Sequence, residues 1–502
     1  MRESCSFLAS RYNIKSISQA NRAMRPRRAL PFRKFGSSSC ARPISIGRAF
    51  FFGKASLVAG FGLSAFGLET RKAAGCEPLV RANFYPRDGR SDLCQRNAMI
   101  TREYAACEEC ETAHILRIGI GAEPTQAHQF SCSNCGEEMN IRLERGIGFI
   151  YGPNASKIDP IDDGPIVNLH PSFVFSKDDV GRRDAFPSLE FGAEMIKGIL
   201  AARAKAGLSL DLAKLTAESS PTARITEEWE QLRAAWSLTR NGKTELAEKR
   251  RLGFVDSAGY PEPPDSLPEW VFQFAGRLIQ PRFEEIFEGL FEQVRIAKDK
   301  PDFGRFIDYY SRELSADHGR RYFEVCKAYL GAFSEFSQVH YLVTTNVNVG
   351  DDHAAASTNF KSTRMFYGDA FEAFGNNVEV LVALNNLVED RPFDELRTIS
   401  FEKYRGTDKA GRCNALADNP AMAAVCGDFD NQIRNASHHG GMVFDSKSGS
   451  IEYRAGKGGQ GEIHHIGYAT YLARCTLMFV QLMNLFRIEI FIANQFGGRL
   501  PL

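Results

Sequence analysis

The chain has 502 residues, of which 43% are hydrophobic and 25% charged, and its formal net charge is +1. This composition excludes a fibrous or wholly disordered protein, and the length allows two to four domains of about 100–200 residues each. The small net charge conceals an asymmetry, because residues 1–98 carry 18 Lys/Arg against 5 Asp/Glu while residues 99–502 carry 44 against 56.

Residues 1–98 read as a basic extension. Residues 1–50 contain eleven basic residues, a single acid (Glu3) and many serines, which is the composition of an organellar transit peptide or a basic arm. An upstream extension that the working protein does not use fits the same pattern, and we expect this segment to be disordered. The apolar run AFFFGKASLVAGFGLSAFGLE is broken by Lys54 and several glycines, so it does not predict a membrane span.

Residues 99–150 contain four cysteines with metal-ligand spacing. Cys107 and Cys110 form one C-x2-C pair, Cys132 and Cys135 form another, and 21 residues separate the pairs. Four thiolates at about 2.3 Å satisfy a tetrahedral zinc ion, so the spacing predicts a small β zinc ribbon. A four-cysteine site leaves no open coordination position, and the predicted Zn²⁺ is therefore structural.

Three further observations concern the turn after the second cysteine pair, the cellular compartment and the partners of the ribbon. Gly136 follows the second pair directly, where a glycine lets the chain turn away from a metal. The other eight cysteines are scattered, which favours a reducing, cytoplasmic compartment over a disulfide framework. The ribbon contains Arg117 but no basic patch, so a scaffold or protein-docking role is favoured over contact with nucleic acid.

Residues 151–354 are predicted to be mostly helical. Phe283, Ile286, Leu290 and Val294 recur at intervals of three and four, which places them on one face of an amphipathic helix. No catalytic pattern stands out in this region. The polar segment NVNVGDDHAAASTNF predicts the boundary with the next domain.

Residues 355–502 predict a helical bundle. Ser362 or Thr363 is a suitable cap for a first long helix, and Asn419 is a suitable cap for a second one. The last helix is expected over about 465–492. Charged and amide side chains interrupt its apolar sequence, which indicates a core helix rather than a membrane span.

The segment FDNQIRNASHHGGMVF, residues 429–444, combines an arginine with two histidines at a helix end. On a helical wheel Ile433 and Ala436 join Phe429 on the buried face, while Arg434 and His438 lie together on the polar side. Gly440 and Gly441 would end the helix. The simplest interpretation is that the histidines stabilise a helix C-terminus by about 0.3–1 kcal/mol.

The same residues also resemble the signature of the HEPN family. Arg434, Asn435 and His439 match its arginine, its following polar residue and its histidine after three further residues. In HEPN domains this motif ends a helix of an all-α bundle, and one more long helix follows. This chain departs from the family in its second histidine and in an inserted segment that reads as a hairpin. Family spacing favours His439 as the functional histidine, whereas helix geometry favours His438.

The resemblance implies a metal-independent endoribonuclease that acts on RNA. Histidine would take the proton of a ribose 2′-hydroxyl, Arg434 would stabilise the charge on the phosphorane, and Asn435 would position the phosphate or the histidine. The resemblance further implies a homodimer with two motifs facing one cleft. We expect a toxin or antiviral defence effector that a regulatory partner protein controls. The alternative is a non-catalytic HEPN-like module that binds nucleotide or protein, with the ribbon as an adaptor.

Overall fold

The computed structural model describes residues 99–120, 125–144, 146–169, 174–179, 221–258, 260, 263–355, 360–438, 441–445, 448–454, 456 and 461–502. The predicted basic extension with its apolar run lies outside the described residues, and so does His439. Within them the protein is mainly α-helical with a small β region near its start, which confirms the predicted fold class at this level.

The β region contains two sheets, in which most neighbouring strands are antiparallel. Its strands are β1 (Met99–Cys107), β2 (Ala113–Ile120), β3 (Thr125–Ser131), β4 (Glu138–Glu144), β5 (Gly148–Tyr151), β6 (Ala155–Lys157) and β7 (Ile166–Leu169). One sheet has the order β6-β1-β2-β7 and the other β3-β4-β5. Strand β7 runs parallel to β2, so the β unit continues beyond the predicted limit at residue 150.

The β region has its own small hydrophobic core. Leu116 and Ile118 of β2 are fully buried and pack with Met139 and Ile141 of β4 and with Phe130 of β3. Along β3 the buried and exposed residues alternate, which is the period expected of a strand with one face in the core. This core is separate from the much larger core of the helices.

Seven α-helices lie in the described residues between 221 and 355. They are α1 (Pro221–Arg240), α2 (Thr244–Ala258), α3 (Leu267–Ile279), α4 (Glu284–Ala297), α5 (Phe303–Tyr309), α6 (Ser315–Gly331) and α7 (Phe333–Thr344), with a π-helical turn (Tyr310–Leu314) between α5 and α6. Leu290 and Val294 of α4 are buried, as the spacing of its apolar residues predicts. Strand β8 (Phe175–Ser176) lies before α1 in the chain and pairs with β9 (His353–Ala354), which follows α7.

The described region after residue 355 contains helices and a three-stranded sheet. The elements are α8 (Phe360–Thr363), α9 (Phe366–Asn377), α10 (Glu379–Val388), α11 (Phe401–Arg405), a 3-10 helix (Lys409–Leu416), α12 (Pro420–Ala423), a second 3-10 helix (Ala424–Cys426), α13 (Asn431–His438), β10 (Met442–Asp445), β11 (Ser450–Arg454), β12 (Ile463–Gly467) and α14 (Tyr468–Phe496). The strand order is β10-β11-β12. The inserted segment thus forms a sheet in which β12 takes residues predicted to start the final helix.

Two predicted helices differ in length from the observed ones. The first long helix is divided into α8, α9 and α10, and the last of these ends at Val388. Asn419 caps α12 as predicted, because its side chain accepts a hydrogen bond from the Met422 amide at 3.3 Å. However, α12 has only four residues before the chain tightens into a 3-10 helix.

Helix α14 is the central helix of the helical core. Its length and apolar composition would suffice to cross a membrane, but 89% of its most apolar window is buried in the protein, as in the core helix of a soluble protein. It packs against α3, α7 and α9. A single hydrophobic core therefore includes residues from both sides of the predicted boundary at residue 355.

The helical core also encloses a charged cluster that the sequence did not reveal. The His318 imidazole lies 2.9 Å from a carboxylate oxygen of Glu489 and 3.4 Å from one of Glu379. The hydroxyls of Tyr310 and Tyr322 donate to Glu489 at 3.0 and 2.6 Å. This cluster ties α6 and the π-helical turn to α10 and α14.

Candidate functional site

The four predicted metal ligands come together at the ends of β1 and β3. Their Sγ atoms all lie within 4.8 Å of one another. The Sγ atoms of Cys107 and Cys135 are 3.7 Å apart and those of Cys110 and Cys132 are 3.5 Å apart. A tetrahedron with metal–sulfur bonds of 2.3 Å has edges of about 3.8 Å, so the cluster fits a tetrahedral metal ion bound by four thiolates.

Both cysteine turns use a left-handed residue after the second cysteine. Gly136 has a φ of 80° and its amide donates to the Cys132 carbonyl at 3.0 Å. Glu111 occupies the equivalent place in the first turn with a φ of 57°, and its amide donates to the Cys107 carbonyl at 2.8 Å. The two turns are therefore alike, although only the second carries the glycine that this conformation favours.

Helix α13 lies along α9 and is fixed at its start by aromatic side chains. The Tyr367 hydroxyl donates to the Asp428 carbonyl at 2.9 Å and accepts from the Asp430 amide at 3.0 Å. The Phe429 ring stacks on Phe371 with centroids 3.8 Å apart. Ile433 and Ala436 are fully buried, which agrees with the helical wheel.

The last turn of α13 is fastened to α9 through Ser437 and Gly368. The Ser437 hydroxyl donates to the Arg364 carbonyl at 2.7 Å and accepts from the Gly368 amide at 3.2 Å. The neighbouring His438 imidazole points to the same helix, where its Nε2 lies 3.2 Å from a carboxylate oxygen of Asp369. His438 therefore reaches the surface with its ring orientation set by a carboxylate.

The Arg434 guanidinium lies on the same side of α13 as His438. Its Nε donates to Oε1 of Glu372 at 2.7 Å, and one terminal nitrogen bonds to the same oxygen. The other terminal nitrogen donates to the Asn435 side-chain oxygen at 2.8 Å. Arg434 and His438, one helical turn apart, thus face Glu372 and Asp369, which are one turn apart on α9.

A lysine from a third segment completes this arrangement. Lys409, at the start of the first 3-10 helix, pairs with Oε2 of Glu372, so the two carboxylate oxygens hold two different cations. Burial alone would raise the pKa of Glu372, but the hydrogen bonds and charges of Lys409 and Arg434 outweigh burial and hold the pKa below its ordinary value. Glu372 is therefore an anion at neutral pH.

The sequence pattern indicates Arg434 and Asn435 but gives no signal for Asp369, Glu372 and Lys409. Asp369 and Glu372 are three residues apart on α9, a spacing that puts them on one helix face. Acidic pairs at this spacing are common on solvated helices, so the spacing alone carries little information. Only the packing of α13 against α9 makes these carboxylates partners of the motif.

A cavity of about 600 Å³ lies elsewhere, between α1 and α2. Its lining includes Gln231, Lys249, Arg250 and Phe254. None of its lining residues belongs to α9 or α13, so the arginine–histidine site is a partly open surface rather than part of this cavity.

Comparison with known proteins adds no assignment to this geometry. No family model matches the sequence, no curated protein is significantly similar to it, and no solved structure matches the fold.

Proposed function

We propose that this protein is a metal-independent endoribonuclease of the HEPN type. The observation that carries the proposal is the pairing of Arg434 and His438 on one face of α13, at a surface where 31% of the Arg434 side chain and 24% of the His438 side chain are exposed. A guanidinium and an imidazole one helical turn apart can reach a single phosphodiester. Both groups are held by carboxylates, which limits their side-chain motion.

The proposed roles follow the chemistry of each side chain. A histidine titrates near neutral pH and takes the proton of the ribose 2′-hydroxyl, whose oxygen then attacks the adjacent phosphorus. Arg434 stabilises the negative charge that develops on the phosphorane oxygens. The imidazolium formed in this step, or water, gives a proton to O5′ as the P–O5′ bond breaks, which leaves a 2′,3′-cyclic phosphate and a 5′-hydroxyl.

The two adjacent histidines are both part of the proposal. The motif spacing assigns the base to His439. His438 is the alternative base, and the Asp369 carboxylate beside it supports that role, because a general base in many active sites is oriented by a third group. Asn435 holds the Arg434 guanidinium and would fix its orientation toward the phosphate.

The test compares RNA cleavage by the wild type and by single variants in the presence of a chelator. Arg434→Ala should lower the cleavage rate about 10²–10³-fold, since a missing charge stabiliser has that effect. Loss of the base, by His439→Ala or His438→Ala, should lower the rate about 10²–10⁴-fold. The matched controls Arg454→Ala and His465→Ala change exposed residues of the neighbouring sheet and should leave the rate unaltered. Equal rates in the wild type and all five variants would refute the proposal.

The cysteine cluster is proposed to hold a structural zinc ion. Zinc favours four thiolates in tetrahedral geometry, and its binding free energy stabilises units that are too small to fold on their core alone. Residues 99–169 carry 5 Lys/Arg against 11 Asp/Glu. This acidic balance supports a scaffold or protein-docking role for the ribbon, because contact with nucleic acid requires a basic surface.

The proposed biological setting is a cytoplasmic homodimer in which two motifs face one RNA cleft. Such an enzyme would act as a toxin or as an antiviral defence effector, and a regulatory partner protein would hold or release its activity. Size measurement in solution tests the dimer. A monomer that cleaves RNA at full rate would remove this part of the proposal.

A non-catalytic binding module is the second proposed function. The ion pair between Arg434 and Glu372 favours this binding function. A guanidinium that is already bound to a carboxylate of the same chain is typical of a structural contact. In that case the chelator assay would show no cleavage, while a nucleotide or a partner protein would raise the melting temperature of the wild type. The cleavage assay therefore separates the two functions.

A further inference from the structure

We propose that Lys409 and Arg434 form a two-cation clamp for a phosphate of the RNA backbone, and that the Glu372 carboxylate holds this clamp when RNA is absent. The inference rests on the proposed function, which involves Arg434 but gives Lys409 and Glu372 no role. It adds a second phosphate-binding residue, from a separate segment of the chain, and an internal competitor.

The arrangement of oxygens around the clamp supports phosphate as the ligand. Arg434 bonds to one oxygen of Glu372, and Lys409 bonds to the other. A phosphodiester likewise carries two non-bridging oxygens on one atom, so it can occupy the same pair of cations. A forked guanidinium and a point-charge ammonium are both common phosphate ligands in proteins.

The charge balance favours exchange of the ligand. Two cations face a single carboxylate, and the remaining contact of Arg434 is to the neutral side chain of Asn435. The Arg434 contact with Asn435 uses a different terminal nitrogen from the one that meets Glu372. The nitrogens that bind Glu372 can therefore exchange the carboxylate for a phosphate, while the other terminal nitrogen keeps its hydrogen bond to Asn435.

Solvent reaches all three charged groups. The exposed fractions of the side chains are 31% for Arg434, 29% for Lys409 and 22% for Glu372. A fully buried ion pair would have to be dehydrated and rebuilt before an external anion could enter. A partly exposed one exchanges with solvent ions at small cost.

Local structure sets the position of Lys409. Asp408 caps the 3-10 helix by accepting from the Ala410 amide at 3.4 Å, which places Lys409 in the first turn. Gly375 of α9 lies beneath it, and a Cβ at Gly375 would stand 3.0 Å from the Lys409 Cβ. The absence of a side chain at Gly375 thus lets the lysine backbone come close to α9.

The experiment measures binding of a fluorescein-labelled, fully 2′-O-methylated RNA oligonucleotide to the full chain by fluorescence anisotropy at several salt concentrations. This probe has no free 2′-hydroxyl and stays intact, so binding is measured separately from cleavage. Lys409→Ala should weaken binding roughly three- to tenfold. It should also reduce the slope of log Kobs against log[salt] by about 0.7, the value for one phosphate contact to a single strand.

Glu372→Gln should change the affinity in the opposite direction, and the variants Lys409→Arg and Lys403→Ala serve as controls. Removing the competing charge should tighten binding roughly two- to fivefold. Lys409→Arg keeps the cation and should retain the wild-type salt slope. Lys403→Ala removes an exposed lysine of the nearby helix α11 and should keep the affinity of the wild type.

Two results would overturn the clamp. One is an unchanged salt slope in a Lys409→Ala protein that melts like the wild type. The other is weaker rather than tighter binding by Glu372→Gln with the melting temperature retained. Failure of the proposed function has a different signature, namely a probe that binds with these dependences while unmodified RNA is not cleaved.

Discussion

Gly368 of α9 lies directly beneath the imidazole of His438. A Cβ built on Gly368 would stand 2.3 Å from Cδ2 and 2.6 Å from Nε2 of the histidine, far inside contact distance. The close approach of the ring to α9, and with it the contact to Asp369, therefore depends on the missing side chain at this position.

Gly368→Ala should displace the His438 ring and separate it from Asp369. If the oriented imidazole takes part in catalysis, the cleavage rate falls by about 10²-fold, the effect of a misplacement on the order of 1 Å. Circular dichroism should show retained helix content, since alanine favours helices more than glycine does. Gly304→Ala, on α5, meets no atom within 4 Å and is the matched control. A variant with full activity would show that the position of His438 is irrelevant to the reaction.

The two cysteine turns give a reciprocal pair of substitutions. Gly136→Ala should destabilise the metal-bound ribbon by about 1–2 kcal/mol, because a Cβ is disfavoured in the left-handed conformation. Glu111→Gly should stabilise it by up to about 1 kcal/mol for the same reason. Release of metal to a colorimetric chelator during urea titration measures both effects. Equal midpoints for the two variants would contradict the observed backbone conformations.

The cysteine cluster should bind one zinc ion per chain, and its loss should leave the helical core folded. Cys132→Ala removes a buried ligand and should abolish zinc binding, as measured by elemental analysis. All three tryptophans, Trp229, Trp236 and Trp270, lie in the helical core, so their fluorescence reports that core alone. The emission spectrum should match that of the wild type. A large red shift would show that the two cores are not independent.

The buried cluster around His318 should make stability depend on pH. Burial alone lowers the pKa of His318, but the charge of Glu489 and hydrogen bonds to Glu379 and Glu489 outweigh it and raise the pKa to about 9. A raised pKa stabilises the folded protein fully below the unfolded value of 6.5, and this stabilisation disappears as the pH rises through about 9.

His318→Gln measures that contribution. The variant leaves the buried Glu489 carboxylate without its cation, whereas Glu379 keeps its ion pair with Arg405. It should lose about 3–5 kcal/mol of unfolding free energy at about pH 6. The difference from the wild type should shrink as the pH approaches about 10, because the wild-type imidazole then loses its charge. A difference that stays constant between these pH values would mean that His318 is neutral in the folded protein.

Short-range patterns in the sequence predicted the parts of the fold that depend on neighbouring residues. The spacing of Cys107 and Cys110, repeated at Cys132 and Cys135, predicts the cysteine cluster because each pair belongs to one tight turn. The apolar face of α4 follows from the helical period in the same way. The left-handed backbone conformation of Glu111 could not be predicted, since glutamate carries no sequence signal for it.

Partners that meet across long stretches of chain could not be predicted in this way. Glu372 and Arg434 are 62 residues apart, and Glu489 and His318 are 171 apart. Their contacts arise from how α9, α13 and α14 pack, which no local pattern encodes. The sequence of α13 thus suggested a cation and an imidazole, but their carboxylate partners came only from tertiary structure.

The central claim is that an imidazole and Arg434 act on a single phosphodiester through the ribose 2′-hydroxyl. Its most direct test is the cleavage, in the presence of a chelator, of an RNA oligonucleotide and of the same oligonucleotide with one 2′-deoxyribose at the cut site. We expect the RNA to give a 2′,3′-cyclic phosphate and a 5′-hydroxyl, and the substituted oligonucleotide to resist cleavage at that site. Cleavage of the deoxy site, or products with a 3′-hydroxyl, would contradict the account.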